Sequence, residues 1–188
     1  MHINRTLRSL ALALTAATCH LAAADIQWGA TAGLGFPAKD LKDAVDNAKG
    51  FTLGAQAYMD LGNGHGVRPR LDIARFRSPR IAYLGVSDVF TVDTLRLGAD
   101  YLYHFTGETK GAYAFGGMGG VYTRSTTTLS IGDLGLGSAR DHVTKAYVQV
   151  GAGYQINRHW GVELYHAYHR TTSSHDFAAT FLAATARF

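Results

Sequence analysis

The chain has 188 residues, a formal net charge of +4 and one cysteine, Cys19. A single cysteine excludes a disulfide scaffold, and the mild basic excess, without an aromatic-basic motif, argues against nucleic acid as a partner. Many glycines, few prolines and ten tyrosines favour strands and tight turns over helices.

In chain order, the first element is a leader. Arg5 and Arg8 precede the apolar run from Leu10 to Ala17, and Ala22-Ala23-Ala24 offers a small-residue cleavage site before Asp25. The expected organisation is a signal peptide at 1–24 and one domain at 25–188. Ala16-Ala17-Thr18 ahead of Cys19 lacks the leucine and the small residue of a lipidation site, so the mature chain should carry no cysteine. Beyond the leader no apolar run approaches the ~18 residues of a membrane helix.

From Ile26 apolar residues occupy every second position: Ile26, Trp28, Ala30, Ala32, Leu34 and Phe36, with Gln27, Gly29, Thr31, Gly33 and Gly35 between them. Side chains of a strand alternate faces, so this reads as a strand with one apolar face. The gap Pro37 to Gly50 carries Leu41, Ala44, Val45 and Ala48 at helical spacing, suggesting a short loop helix. Phe51 to Leu61 alternates again. In all, the pattern predicts eight strands at 25–36, 51–61, 67–76, 89–105, 112–123, 143–156, 160–169 and 176–188. In the fifth, Gly116, Gly117, Gly119 and Gly120 fall on both faces and leave its register open. The stretch Ser125 to Gly137, rich in Thr, Ser and Gly, reads as a loop that could be adhesive or a spacer.

Long gaps alternate with short, turn-like ones at 62–66, 106–111 and 157–159. An even number of strands with that alternation is the pattern of an all-β, eight-stranded antiparallel up-and-down transmembrane β-barrel, with both termini on the periplasmic side. The soluble rival, a lipocalin-like barrel, would turn the apolar face inward. Trp28, Phe36, Phe51, Tyr101, Tyr103, Trp160 and Tyr168 at strand ends fit interfacial aromatic girdles and favour the membrane reading.

Parity then places Asp60, Arg68, Arg70, Asp72, Arg96, Asp100, Glu163 and Arg187 on the inner face, four acids against four bases. Lone buried charges are costly, and eight strands enclose only enough room for side chains, so the expectation is a filled, ion-paired and non-conducting interior. A narrow ion channel is the alternative. On the loop side Arg77, Arg80, Arg124, Arg140, Lys145 and Arg170 are candidates for contacts with lipopolysaccharide phosphates. His166, His169, Ser173, Ser174, His175 and Asp176 hold the chemistry of a nucleophilic triad. However, His166 and His169 should face opposite ways, which disfavours both catalysis and a shared metal. No cofactor is expected.

The run Tyr147 to Ile156, the turn Asn157-Arg158-His159, the run Trp160 to Tyr165 and the terminal Phe188 resemble the small outer-membrane β-barrel family, the OmpA/OmpX-like eight-stranded superfamily. The resemblance covers the mature chain. It implies the outer membrane of a Gram-negative bacterium and a terminal aromatic at Phe188 read by the barrel-assembly machinery; with no peptidoglycan-binding domain after Phe188, the two-domain form of the family is not expected. The expected function is that of a monomeric, non-enzymatic protein of envelope structure or surface interaction, with lipid and lipopolysaccharide as partners. A lipid A-modifying barrel enzyme is the alternative from another class. The deacylase-like barrels carry His and Ser two apart on one strand face, whereas Tyr168 follows His166 and Thr171 follows His169 at that spacing.

Overall fold

The computed structural model describes residues 26–79, 81–83, 86–107, 109–131, 134–171 and 176–188. The leader, Arg80, Asp133 and residues 172–175 lie outside them. The elements are β1 (Ile26–Ala38), α1 (Lys39–Ala44), β2 (Gly50–Gly62), β3 (His65–Arg77), β4 (Ile81–Tyr83), β5 (Val86–His104), β6 (Gly111–Ile131), β7 (Leu134–Gln155), β8 (Trp160–Arg170) and β9 (Asp176–Arg187).

All pairings are antiparallel, and eight strands close a ring in the order β3-β2-β1-β9-β8-β7-β6-β5, sealed by β3 on β5. The three-residue β4 adds to β5 outside the ring. The stagger can be followed around the ladder. Phe36 pairs with Thr180, then His166, Val150, Gly116, Tyr101, Val67, Met59 and finally Ile26. One circuit therefore returns to β1 ten residues lower, which for eight strands at ordinary β spacing means a tilt of about 40° and a radius of about 8 Å. Such a tube is filled by its own side chains.

The alternation sorts as expected. Trp28, Leu34, Leu53, Leu71, Leu97, Val150 and Leu164 point outward and are exposed, while Thr52, Gln56, Tyr58, Arg68, Arg70 and Tyr165 point inward and are buried. Exposed aromatics form two belts. Trp28, Tyr101, Tyr103, Phe105, Tyr154 and Trp160 ring the end that carries the termini and short turns, and Phe36, Phe51 and Tyr122 mark the loop end. The turn between β2 and β3 is only Asn63-Gly64, with φ of 55° and 81°. Both residues are left-handed, the geometry that matches the twist of a two-residue hairpin and that Asn-Gly adopts cheaply.

The structure settles one segment that the sequence left open and changes another. The fifth strand's register is now fixed: Tyr113, Phe115, Val121 and Thr123 face in, and Met118 and Tyr122 face out. The stretch Ser125 to Gly137, expected to be a loop, is mostly strand. β6 and β7 pair up to Ile131 and Leu134, well above the rim, because β8 covers β7 only from Tyr147 downward. Above the rim neither face meets lipid or a core, so the alternation that reveals a strand is missing there. The β-branched run Thr126-Thr127-Thr128 supplies β-propensity instead. The short helix foreseen between Pro37 and Gly50 is present as α1. Leu41 and Val45 at this segment are buried over the barrel mouth with Val92, Phe177 and Ala179, and the partly buried Phe90 packs against them.

Candidate functional site

Inward positions of β3, β5 and β8 bring the interior charges to one level. Asp100 is the hub. Its Oδ2 accepts from Arg68 Nη2 at 2.8 Å, Arg68 Nε at 3.1 Å and Arg70 Nη1 at 3.3 Å, and its Oδ1 accepts from Gln149 Nε2 at 2.5 Å. Arg70 also donates to Asp72 through Nε at 2.7 Å and Nη2 at 2.9 Å. Arg68 Nη1 donates to Glu163, whose same oxygen accepts the Tyr113 hydroxyl at 2.7 Å. Room for these carboxylates comes from glycine. A Cβ on Gly117 would lie 1.9 Å from Asp100 Oδ1, and one on Gly54 would lie 2.2 Å from Asp72 Oδ1.

Arg96 and Arg187 are also inside but have no carboxylate within 4 Å among the described residues. Aromatic faces hold them. The Arg96 guanidinium lies 4.5 Å from the Phe181 ring centre and that of Arg187 lies 4.2 Å from Tyr58. Arg68 and Arg70 stack likewise on Phe115 and Tyr165, at 4.7 and 4.9 Å. Each interior arginine therefore has a ring beneath it, and cation–π attraction strengthens when the cation is desolvated. Sequence reasoning looked for acids and missed this. The signal was available in the inward parity of Tyr58, Phe115, Tyr165 and Phe181.

One interior assignment is corrected. Asp60 keeps the inward parity, its partner Gly66 lying opposite the buried Leu102, but it stands exposed at the short-turn end, where its Oδ1 accepts the Gly62 N–H at 2.8 Å. It shapes the turn and leaves the network. The interior set is then three acids and four bases, all at most 4% exposed.

Residues 9–187 match the family model described as outer membrane protein beta-barrel domain. The chain belongs to that family. Among solved structures it is similar to Ail, the attachment invasion locus protein of Yersinia pestis, at 13% identity and a TM-score of 0.59, over 87% of this chain and 97% of Ail. Ail in complex with the heparin analogue sucrose octasulfate gives a TM-score of 0.61 at 13% identity, over 88% and 99%. Neisserial surface protein A gives 0.50 at 15% identity, over 87% and 97%. At these identities the likeness is one of fold. No curated protein matches the sequence.

For an outer-membrane barrel the outward residues above the apolar band are as informative as the interior. Arg77, Arg124 and Arg140 all sit at the loop end on the outward parity of β3, β6 and β7. Lys145 is exposed but shares the parity of the inward Tyr147 and Gln149, and Arg80 lies outside the described residues. Arg170 is bound, its Nε donating to Asp176 at 3.2 Å. The same carboxylate accepts from the Tyr168 hydroxyl at 2.9 Å and Lys39 Nζ at 3.4 Å, while Asp40 accepts the Asp176 backbone N–H at 2.7 Å. Those donors hold the Asp176 carboxyl below its ordinary value, first the Tyr168 hydroxyl and then Arg170. The cluster ties α1 to the rim.

His166 and His169 do face opposite ways. His166 Nδ1 meets Thr180 Oγ1 at 3.0 Å on the outside, and His169 Nε2 meets Thr123 Oγ1 at 3.0 Å within. Ser173, Ser174 and His175 lie outside the described residues, among which no metal-binding group of His, Cys, Asp and Glu occurs.

Proposed function

We propose that this outer-membrane barrel is a non-conducting, non-enzymatic protein of envelope structure or surface interaction. Its N- and C-termini and short turns lie in the periplasm, and its loop end and raised β4–β7 sheet lie outside. One observation carries the closed interior: Asp100, Arg68, Arg70 and Glu163, with rings stacked on the arginines, fill the middle of a tube of about 8 Å radius. Above them Leu41 and Val45 cover the mouth. Ions crossing this lumen would have to displace a paired network rather than pass beside it. A chain cleaved after residue 24, with Phe188 presented to the assembly machinery, completes the reading.

Planar-bilayer recording of the purified protein tests it. The expected record is flat. Steady, reproducible unitary conductance would overturn the closed interior, and a fully soluble periplasmic product without heat-modifiable gel mobility would overturn the location. An altered lipid A mass spectrum on expression would restore the enzyme reading.

A further inference from the structure

We propose that the short-turn mouth of the barrel binds the free C-terminus of a short peptide, with its carboxylate on Arg187 and a backbone N–H on Gln155. That the peptide is a periplasmic one rests on the orientation given above.

The ladder builds the site. Gln155, Gly161, Thr185 and Thr31 are cross-strand partners in one inward row. Gly161 leaves a notch in that row. A Cβ there would lie 2.8 Å from Thr185 Oγ1 and 2.9 Å from Gln155 Oε1. Both oxygens are buried and have no hydrogen-bond partner among the described residues. The Gln155 amide is oriented by its other end, since Nε2 donates to the Asn157 and Trp160 carbonyls at 2.8 and 3.1 Å. Its Oε1 is therefore an acceptor that lacks a donor. Arg187 is the next inward residue of β9 toward the mouth. It is 4% exposed and stacked on Tyr58, with no carboxylate within 4 Å among the described residues. Arg158, His159 and Thr109, from two short turns, complete a cavity of about 290 Å³ lined by Gln27, Gln155 and Arg187. His159 is fixed at its edge, with Nδ1 donating to the Arg187 carbonyl at 3.0 Å.

A buried guanidinium without an acid and a buried amide oxygen without a donor ask for both functions in one ligand. A carboxylate meets the arginine fork through paired, charge-assisted hydrogen bonds, and an N–H beside it meets the amide oxygen. Successive inward residues of a strand stand about 7 Å apart. That is close to the reach, about 6 Å, from a terminal carboxylate to the N–H one residue back in an extended peptide. Sulfate or acetate would satisfy the arginine and leave Gln155 Oε1 unpaired. Water would fill the notch and leave the cation without a counter-charge. Capture of a terminal carboxylate by convergent donors is an established way of holding peptide ends. The acids of this mouth are placed elsewhere. Asp60 accepts the Gly62 N–H, and the Phe188 carboxylate has no base within 4 Å among the described residues. The loop-end mouth offers no comparable opening, because Leu41 and Val45 cover it.

The test uses the purified barrel in neutral lipid nanodiscs, titrated with Nα-acetyl-L-Ala-L-Ala, its D,D enantiomer, the C-terminal amide of each, and acetate. Binding is read by calorimetry and by NMR shifts of the Gln155 and Arg187 side-chain N–H groups. At least one acid form should bind saturably, with its amide and acetate about tenfold weaker or more. Preference for the L,L form assigns proteolytic peptides as the source, and preference for the D,D form assigns cell-wall peptides. Arg187→Gln should lose about tenfold or more, and Gly161→Ala, whose Cβ fills the notch, should lose as much. Arg140→Gln at the loop end should bind as wild type. Folding is followed by heat-modifiable mobility, and Arg158→Gln on the exposed rim carries the measurement, with a several-fold loss, if neither inner variant folds. Absence of saturable binding, equal binding of acid and amide, or undiminished binding by the folded mouth variants overturns the proposal. Labelling of an Arg158→Cys variant by an impermeant thiol reagent on intact cells would instead overturn the orientation and leave the binding result standing.

Discussion

At the scale of single residues, Asp100 carries more than any other acid, because one carboxylate serves two buried guanidinium groups and an amide. Asp100→Asn leaves Arg68 and Arg70 short of an acid where water cannot replace it, and the expected loss is about 3–5 kcal/mol. Asp93→Asn removes an ion pair of similar geometry on the outer wall, and its expected cost stays under about 1 kcal/mol. Urea unfolding in micelles compares the two, and equal costs would refute the hub role. Gly117→Ala should be harmful for the same reason, since its Cβ would press on Asp100 Oδ1. That harm should shrink in an Asp100→Ala background, where the oxygen is gone. Parity along β3, β5 and β8 made these charges legible in the sequence. Their partners were not legible, because pairing depends on strand stagger, and Asp60 was misplaced because parity gives a residue's face but not its depth, and at the short-turn end the inner face is exposed.

At the scale of elements, α1 is too short to be stable alone, so its place depends on Leu41 and Val45 below and on the Asp176 cluster beside it. Asp176→Asn should weaken the hold of Lys39 and Arg170 and speed tryptic cleavage after the exposed Lys42 while the barrel stays folded. Unchanged cleavage would show that the apolar contacts suffice. The pH dependence has a definite sign. The carboxyl is held below its ordinary value, so its contribution is complete above the unfolded carboxylate range and fades only as pH falls through the lower folded value. Protection of Lys42 should therefore be flat from about pH 8 down to about pH 5. Helical spacing betrayed α1 in the sequence, whereas the upper β6–β7 hairpin stayed hidden because both its faces meet water and no period survives.

At the scale of the whole molecule, a closed ring has no edge inside the membrane, and the last strand is what closes it, β9 pairing with both β1 and β8. Phe188 stands apart from that architecture. Its side chain is 76% exposed and outward, and the backbone N–H donates to the Trp28 carbonyl at 2.8 Å, a bond that any residue there can make. A side chain so exposed adds little to the folded state, and the proposed assembly role can be tested apart from folding. Phe188→Ala should thus lower the amount of barrel recovered in the outer membrane several-fold, while protein refolded in micelles unfolds within about 0.5 kcal/mol of wild type. Gln155→Leu is the useful opposite: the buried amide donates to the Asn157 and Trp160 carbonyls at 2.8 and 3.1 Å, so its loss should cost stability in micelles as well as yield in cells. If Phe188→Ala destabilised the refolded barrel as much as Gln155→Leu, the terminal ring would be structural and the assembly role would fall.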